Sequence, residues 1–212
     1  SGGPSYLSAF GGAPGGQGQP ADQGGDEAKG DGANSGSADA SDAGKDAGSG
    51  DGAASKADVQ AAPLADLKLV DQNGKEHSLD EYRGKTVFLN FWATWCGPCQ
   101  REIPDIEKLY RDRGENEGDL VVLGVANPKT DSRPNNSDVS EADVKAFIDE
   151  QGITYPVLMD TTGEMFSGYR IRSFPTTFMI DKDGKIFGYI SGMLTPDMMD
   201  SIVEPTMSGV RK

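Results

Sequence analysis

The amino-acid sequence predicts an α/β fold: a central mixed β-sheet flanked by helices, with an N-terminal β-hairpin and a disordered tail in front. Three observations predict it. Two continuous apolar runs, Thr86 to Trp92 and Leu120 to Ala126, have the composition of strands buried on both faces. Between them, Ile103, Ile106, Leu109 and Tyr110 recur at helical spacing, which makes the intervening segment a crossover between parallel strands. Near the end, Asp183-Gly184 separates two further apolar runs and adds an antiparallel hairpin to the sheet.

Composition divides the 212-residue chain before periodicity does. Residues 1–62 are mostly Gly, Ala, Asp, Ser and Gln, with Tyr6 and Phe10 the only aromatics. Such a segment buries too little apolar area to offset the entropy of ordering and is expected to be disordered. Residues 63–212 are long enough for one domain with its own core. Of the net charge of −14, the first 62 residues carry nine acidic and three basic side chains, a net −6, and the rest carry −8. Nucleic acid is therefore not an expected partner, because phosphate binding draws on clustered Lys and Arg.

No apolar run approaches the roughly 18 residues needed to span a bilayer. The chain starts at Ser1, without methionine, on a long polar segment. Those two features suggest that an export or anchoring leader was removed. A chain of this length reaches roughly 40 Å, so the tail is expected to act as a tether that holds the domain off a membrane.

After Pro63, the residues Leu64, Leu67, Leu69 and Val70 read as an edge strand, and Asn73-Gly74 as the tight primed turn of a hairpin. His77 and Ser78 lead to a turn of helix near Leu79 to Tyr82, ended by Gly84. His77 is the only histidine; in its polar surroundings it is expected to be a solvated surface side chain. The strand from Thr86 runs into a helix expected from Cys96 to about Arg113, which Pro104, having no N–H, should kink. The polar segment Asn127 to Val139 reads as a flexible connection, with a partner-facing loop as the alternative, and Ser140 caps a helix carrying Val144, Phe147 and Ile148 and stopped by Gly152. A short strand over Ile153 to Leu158 and a brief helix within Asp160 to Arg170 come next. Strands Phe178 to Ile180 and Ile186 to Ile190 precede a last helix that Thr195-Pro196 caps. Its Met198, Met199, Ile202 and Val203 read as core.

Both cysteines and both tryptophans fall within Phe91 to Glu102. A thiol where a strand ends and a helix begins faces unpaired backbone N–H groups and the positive end of the helix macrodipole, so its thiolate is favoured. Cys96 is thus the candidate nucleophile. Cys99, nearly one turn further in, is the candidate resolving thiol. A zinc site lacks ligands, since no other cysteine and only His77 are available. An inert structural disulfide would not need this junction. A copper-binding chaperone using Cys96, Cys99 and a histidine stays open as a different class of function, as does an interaction protein whose tail is the working part.

The motif Trp95-Cys96-Gly97-Pro98-Cys99 resembles thioredoxins. Together with Leu89 to Cys96, Glu102-Ile103-Pro104 and Phe174 to Asp181, it looks like the TlpA-like or ResA-like extracytoplasmic thiol-disulfide oxidoreductases, over about residues 63–210. The resemblance implies a thioredoxin-like fold with a helical insertion, matching Asn127 to Gly152, and a cis peptide at Pro175. It implies Cys96, Cys99 and Glu102 as catalytic residues, with Trp95, Gly97, Pro98, Phe174 and Pro175 bordering the substrate. Asn90 stands where ordinary thioredoxins carry a buried aspartate, and Glu102, three residues past Cys99, is the group left to carry a proton. The implied activity is disulfide exchange with protein substrates. Gly97-Pro98 favours the reductase direction, with thiol oxidation as the alternative. The expected partners are protein disulfides or dithiols and a membrane thiol reductant or oxidant that resets the pair. No cofactor beyond the redox-active disulfide is implied, and a monomer outside the cytoplasm is expected.

Overall fold

The computed structural model describes residues 60–210. Most of the expected tail, residues 1–59, lies outside the described residues. Its last three residues already belong to the fold. Ala61 bridges Lys185, Ala62 is buried and donates its N–H to the Gly184 carbonyl at 2.9 Å, and the Ile186 N–H donates to the Gln60 carbonyl.

Two short strands, β1 (Leu69–Val70) and β2 (Glu76–His77), form the N-terminal hairpin. The expected strand from Leu64 is confined to β1, since Leu64 itself takes a positive φ of 52°. The loop is not a two-residue primed turn. Asp71 N–H donates to the Lys75 carbonyl, Gly74 alone of the loop residues is left-handed (φ 83°), and the Asp71 side chain accepts from the N–H groups of Asn73 and Lys75. This is a three-residue loop closed by a glycine. The same pattern recurs at Asp181 to Lys185, where Asp181 accepts from Asp183 and Lys185 and Gly184 has φ 71°.

The main sheet has the strand order β5-β4-β3-β6-β7, with β3 (Thr86–Phe91), β4 (Leu120–Ala126), β5 (Val157–Met159), β6 (Thr176–Ile180) and β7 (Ile186–Ser191). The pairs β3-β4 and β4-β5 are parallel; β3-β6 and β6-β7 are antiparallel. The helices α1 (Gly97–Asp112) and α2 (Glu141–Gln151) are the crossovers of the parallel half, and α3 (Glu164–Gly168) and α4 (Pro196–Ser208) complete the set. β5 starts later than the expected strand because Pro156 has no N–H to give the ladder; its carbonyl accepts from Gly124 instead. Ile153 and Tyr155 still enter the core.

Alternation along the central strands sends side chains to two cores. Phe88, Trp92, Val122 and Ala126 pack with Ile103 and Ile106 of α1, Val144 and Ile148 of α2, and Met199, Ile202 and Val203 of α4. Leu89, Phe91, Leu123 and Val125 pack with Leu69 and Leu79 and with Met165 of α3 on the opposite face. Gly124 lies on the α1 side, where its missing side chain admits its neighbours: a Cβ there would stand 2.8 Å from Trp92 Nε1 and 3.1 Å from the Tyr155 ring. The parallel strands β3, β4 and β5 run in one direction, and the cysteines follow the end of β3.

His77 is not a surface residue. It is 2% exposed, with Nε2 at 2.8 Å from Asp71 Oδ2 and Nδ1 at 2.6 Å from the Tyr82 hydroxyl. Hairpin closure brings the three together, so a polar stretch of sequence becomes a buried polar cluster.

Candidate active site

Cys96 is the N-cap of α1, and its Sγ accepts from the Cys99 N–H at 3.2 Å. Gly97 and Pro98 occupy the first helical turn, where the missing proline N–H costs no helix bond. Cys96 and Cys99 form a disulfide, with their Cα atoms 5.2 Å apart, and both are buried. In the reduced state the Cys96 sulfur has the Cys99 N–H and the helix N-terminus in front of it, an arrangement that favours an anion.

Three residues past Cys99 on α1, Glu102 is 1% exposed. Its Oε1 accepts from Asn90 Nδ2 at 2.8 Å and its Oε2 from the Leu194 N–H at 2.7 Å. Burial pushes Glu102 up from 4.5 to about 7; the bonds from Leu194 and Asn90 act in the opposite sense, and the nearby charge of Asp105 adds to the rise. Asn90 also donates to Thr177 Oγ1 at 2.9 Å, while its own buried Oδ1 has no hydrogen-bond partner among the described residues.

On the outer side, Trp95 is 61% exposed and its ring meets Phe174 edge-on at 5.6 Å. Phe174 is half-buried and joined by a cis peptide to Pro175, which is buried. The Pro175 carbonyl accepts from the Gly192 N–H. Pro98 and Met193 are exposed. The eight residues singled out in the sequence thus fall into a buried group, Cys96, Cys99, Glu102 and Pro175, and a half-buried or exposed group, Trp95, Gly97, Pro98 and Phe174. His77 does not join either: both its ring nitrogens are held by Asp71 and Tyr82, which leaves no ligand atom for a metal shared with the cysteines.

The segment Asn127 to Val139 is not a loose connection. Asp138, 1% exposed, accepts from the N–H and the hydroxyl of Thr94, and the Ser137 carbonyl accepts from Trp95 Nε1 at 2.8 Å. Neither contact has a local signal, because the partners are 42–44 residues apart. Leu194, whose backbone holds Glu102 from 92 residues away, was equally invisible in the sequence.

Comparison with known proteins agrees with this geometry. The profile of the AhpC/TSA family matches residues 60–188. The thiol-disulfide oxidoreductase ResA of Geobacillus thermodenitrificans is 37% identical over 132 residues, which are 62% of this chain and 69% of that protein. Among solved structures, the pneumococcal exposed lipoprotein thioredoxin of Streptococcus pneumoniae is 34% identical with a TM-score of 0.56, covering 65% of this chain and 97% of that one. A thioredoxin-family thiol:disulfide interchange protein of Chlorobium tepidum is 31% identical with a TM-score of 0.55, covering 72% and 99%.

Proposed function

The chain belongs to the AhpC/TSA family and is a ResA-like thiol-disulfide oxidoreductase of thioredoxin fold, and from that premise we propose that it reduces disulfides of protein substrates outside the cytoplasm. The observation that carries the reading is the Cys96–Cys99 disulfide at the start of α1 with the buried Glu102 on the same helix, a carboxyl that burial pushes up to about 7. A group that is about half ionised at its working pH can both take and return a proton.

In the proposed cycle the Cys96 thiolate attacks one sulfur of a substrate disulfide. The other substrate sulfur leaves as a thiolate and picks up a proton. Cys99 then loses its proton to the Glu102 carboxylate, attacks Cys96 Sγ and expels the second substrate sulfur as a thiolate, and the proton held by Glu102 is released to it through solvent. The substrate gains two electrons and two protons, and the Cys96–Cys99 disulfide is left. A dithiol donor of the membrane resets the pair by the same exchange. Trp95, Gly97, Pro98, Phe174 and Pro175 border the substrate, residues 1–62 tether the domain, and the working unit is a monomer with no resident cofactor.

The reducing direction is supported by Gly97-Pro98 between the cysteines, and the location by the exposed-lipoprotein relative. Among the described residues no helix is long and apolar enough to cross a membrane. Cys99→Ser should accumulate mixed disulfides through Cys96, and normal turnover by that variant refutes the assigned roles. A potential measured against glutathione should fall near the roughly −270 mV of reducing thioredoxins; one near the roughly −120 mV of strong oxidants reverses the direction.

A further inference from the structure

The turn that delivers the nucleophile is held from three sides. Internally, the Cys96 N–H donates to the Ala93 carbonyl at 3.1 Å. From α1, Gln100 Nε2 donates to the Thr94 carbonyl at 2.6 Å. From the insertion, Asp138 takes the Thr94 N–H at 2.9 Å on one oxygen and the Thr94 hydroxyl on the other. Thr94 therefore has its N–H, carbonyl and hydroxyl all engaged by side chains outside the turn.

The insertion segment is itself anchored at the end of β4. Asn127 Oδ1 accepts from the Ser137 N–H and hydroxyl, its Nδ2 donates to the Asp160 carbonyl, and its carbonyl accepts from the Asp138 N–H at 3.1 Å. Asp138 Oδ1 also accepts from the Val139 N–H. A continuous set of hydrogen bonds thus leads from the central sheet to the Ser137 carbonyl, which receives the Trp95 indole N–H. An exposed aromatic ring is ordinarily free to change rotamer. Here the N–H end is fixed by Ser137 and one edge abuts Phe174.

We propose that Asp138 is a positioning residue for Trp95: through Thr94, and through the Ser137 carbonyl beside it, Asp138 fixes the indole as one wall of the protein-substrate site next to Cys96. This rests on the reading that Trp95 borders the substrate. The carboxylate does not touch reacting atoms. Its effect is to remove the entropy cost of ordering an exposed ring each time a substrate docks. The insertion segment thereby governs how tightly a protein disulfide is held, and the sulfur chemistry stays with α1.

The two tryptophans make this testable by spectroscopy, because Trp92 is fully buried and Trp95 alone can gain local motion. In reduced Asp138→Ala, time-resolved fluorescence anisotropy should acquire a fast local component absent from the wild type. The KM for insulin disulfide should rise by about tenfold, the worth of one charge-assisted hydrogen bond, with kcat changing far less. Asp138→Asn keeps an oxygen to accept from the Thr94 N–H and should recover most of the affinity. Unchanged anisotropy and KM in Asp138→Ala overturn the inference. Should that variant fail to fold, Thr94→Val removes only the hydroxyl contact and must shift anisotropy and KM in the same direction, or the inference falls. Trp95→Ala separates the two levels: a KM unmoved there refutes Trp95 as a substrate wall, while a KM raised there but not in Asp138→Ala refutes Asp138 as its positioner.

Discussion

Replacing Glu102 by Gln isolates the buried carboxylate on which the proposed proton step depends. The amide fits the site. Its oxygen can accept from the Leu194 N–H, and if the Asn90 amide turns over, the unpartnered Asn90 Oδ1 accepts from the new NH2 and from the Thr177 hydroxyl. Shape and hydrogen bonds are thus kept while the titration is removed. In the folded protein Glu102 is raised from 4.5 to about 7. At about 1.36 kcal/mol per pH unit, that difference is on the order of 3 kcal/mol. The sign follows from the direction. Because the folded pKa is the higher one, its stabilising contribution is complete below the unfolded value near 4.5 and is lost as pH rises through about 7. Urea unfolding of the oxidised proteins, in which no thiol titrates, is the assay. The stability of Glu102→Gln minus that of the wild type should climb by about 3 kcal/mol between pH 4.5 and 8, then level off. A difference that stays flat across that window means Glu102 titrates like a solvated carboxylate, and the proton-carrier argument fails with it.

His77→Ala should destabilise the fold by about 3 kcal/mol, because Asp71 Oδ2 loses its partner where water cannot replace it; urea unfolding at neutral pH checks this, and an unaltered midpoint would show that the cluster does not pin the hairpin. Burial pushes the Asp71 carboxyl up, but the bonds from His77, Lys75 and Asn73 outweigh it and hold the group below its ordinary range, so the wild-type advantage over this variant should be full at neutral pH and shrink in acid as Asp71 protonates. Gly124→Ala should cost about 1–3 kcal/mol by overpacking, since a Cβ would press on the Trp92 and Tyr155 rings; thermal unfolding with no loss would mean that the core there yields freely.

What the sequence made legible is what neighbouring residues determine. The central strands could be read because their apolar runs lie on two buried faces, and the Cys96 N-cap because the strand ends and the helix begins within a few residues. Glu102 was legible from its spacing to Cys99 and the family pattern. The rest depends on pairings that no local pattern carries. His77 looked solvated because Asp71 and Tyr82 meet it only after the hairpin closes. The segment Asn127 to Val139 looked loose because its prolines and polar residues are those of a flexible loop. In the fold, Asp138 accepts from Thr94, the Ser137 carbonyl accepts from the Trp95 indole, and the Asn127 side chain holds Ser137.

The choice of Asn90 opposite Glu102 makes sense in these terms. A second carboxylate within hydrogen-bond distance would couple to the first, and two like charges in a dry site do not both ionise near neutrality. An amide keeps a single titrating proton and can meet either form of its partner. Its NH2 faces Glu102 Oε1, the orientation that suits an ionised carboxylate, and its oxygen, without a partner in that orientation, can turn to accept from the protonated acid. Thr177 suits both orientations because a hydroxyl can donate or accept. Glu102 can therefore gain and lose its proton with each hydrogen bond around it preserved, so the transfer does not require the strands or α1 to move. That requirement matters here, because β6 carries Thr177 only two residues after Pro175. A proton step that displaced β6 would also displace Pro175, which we propose borders the substrate.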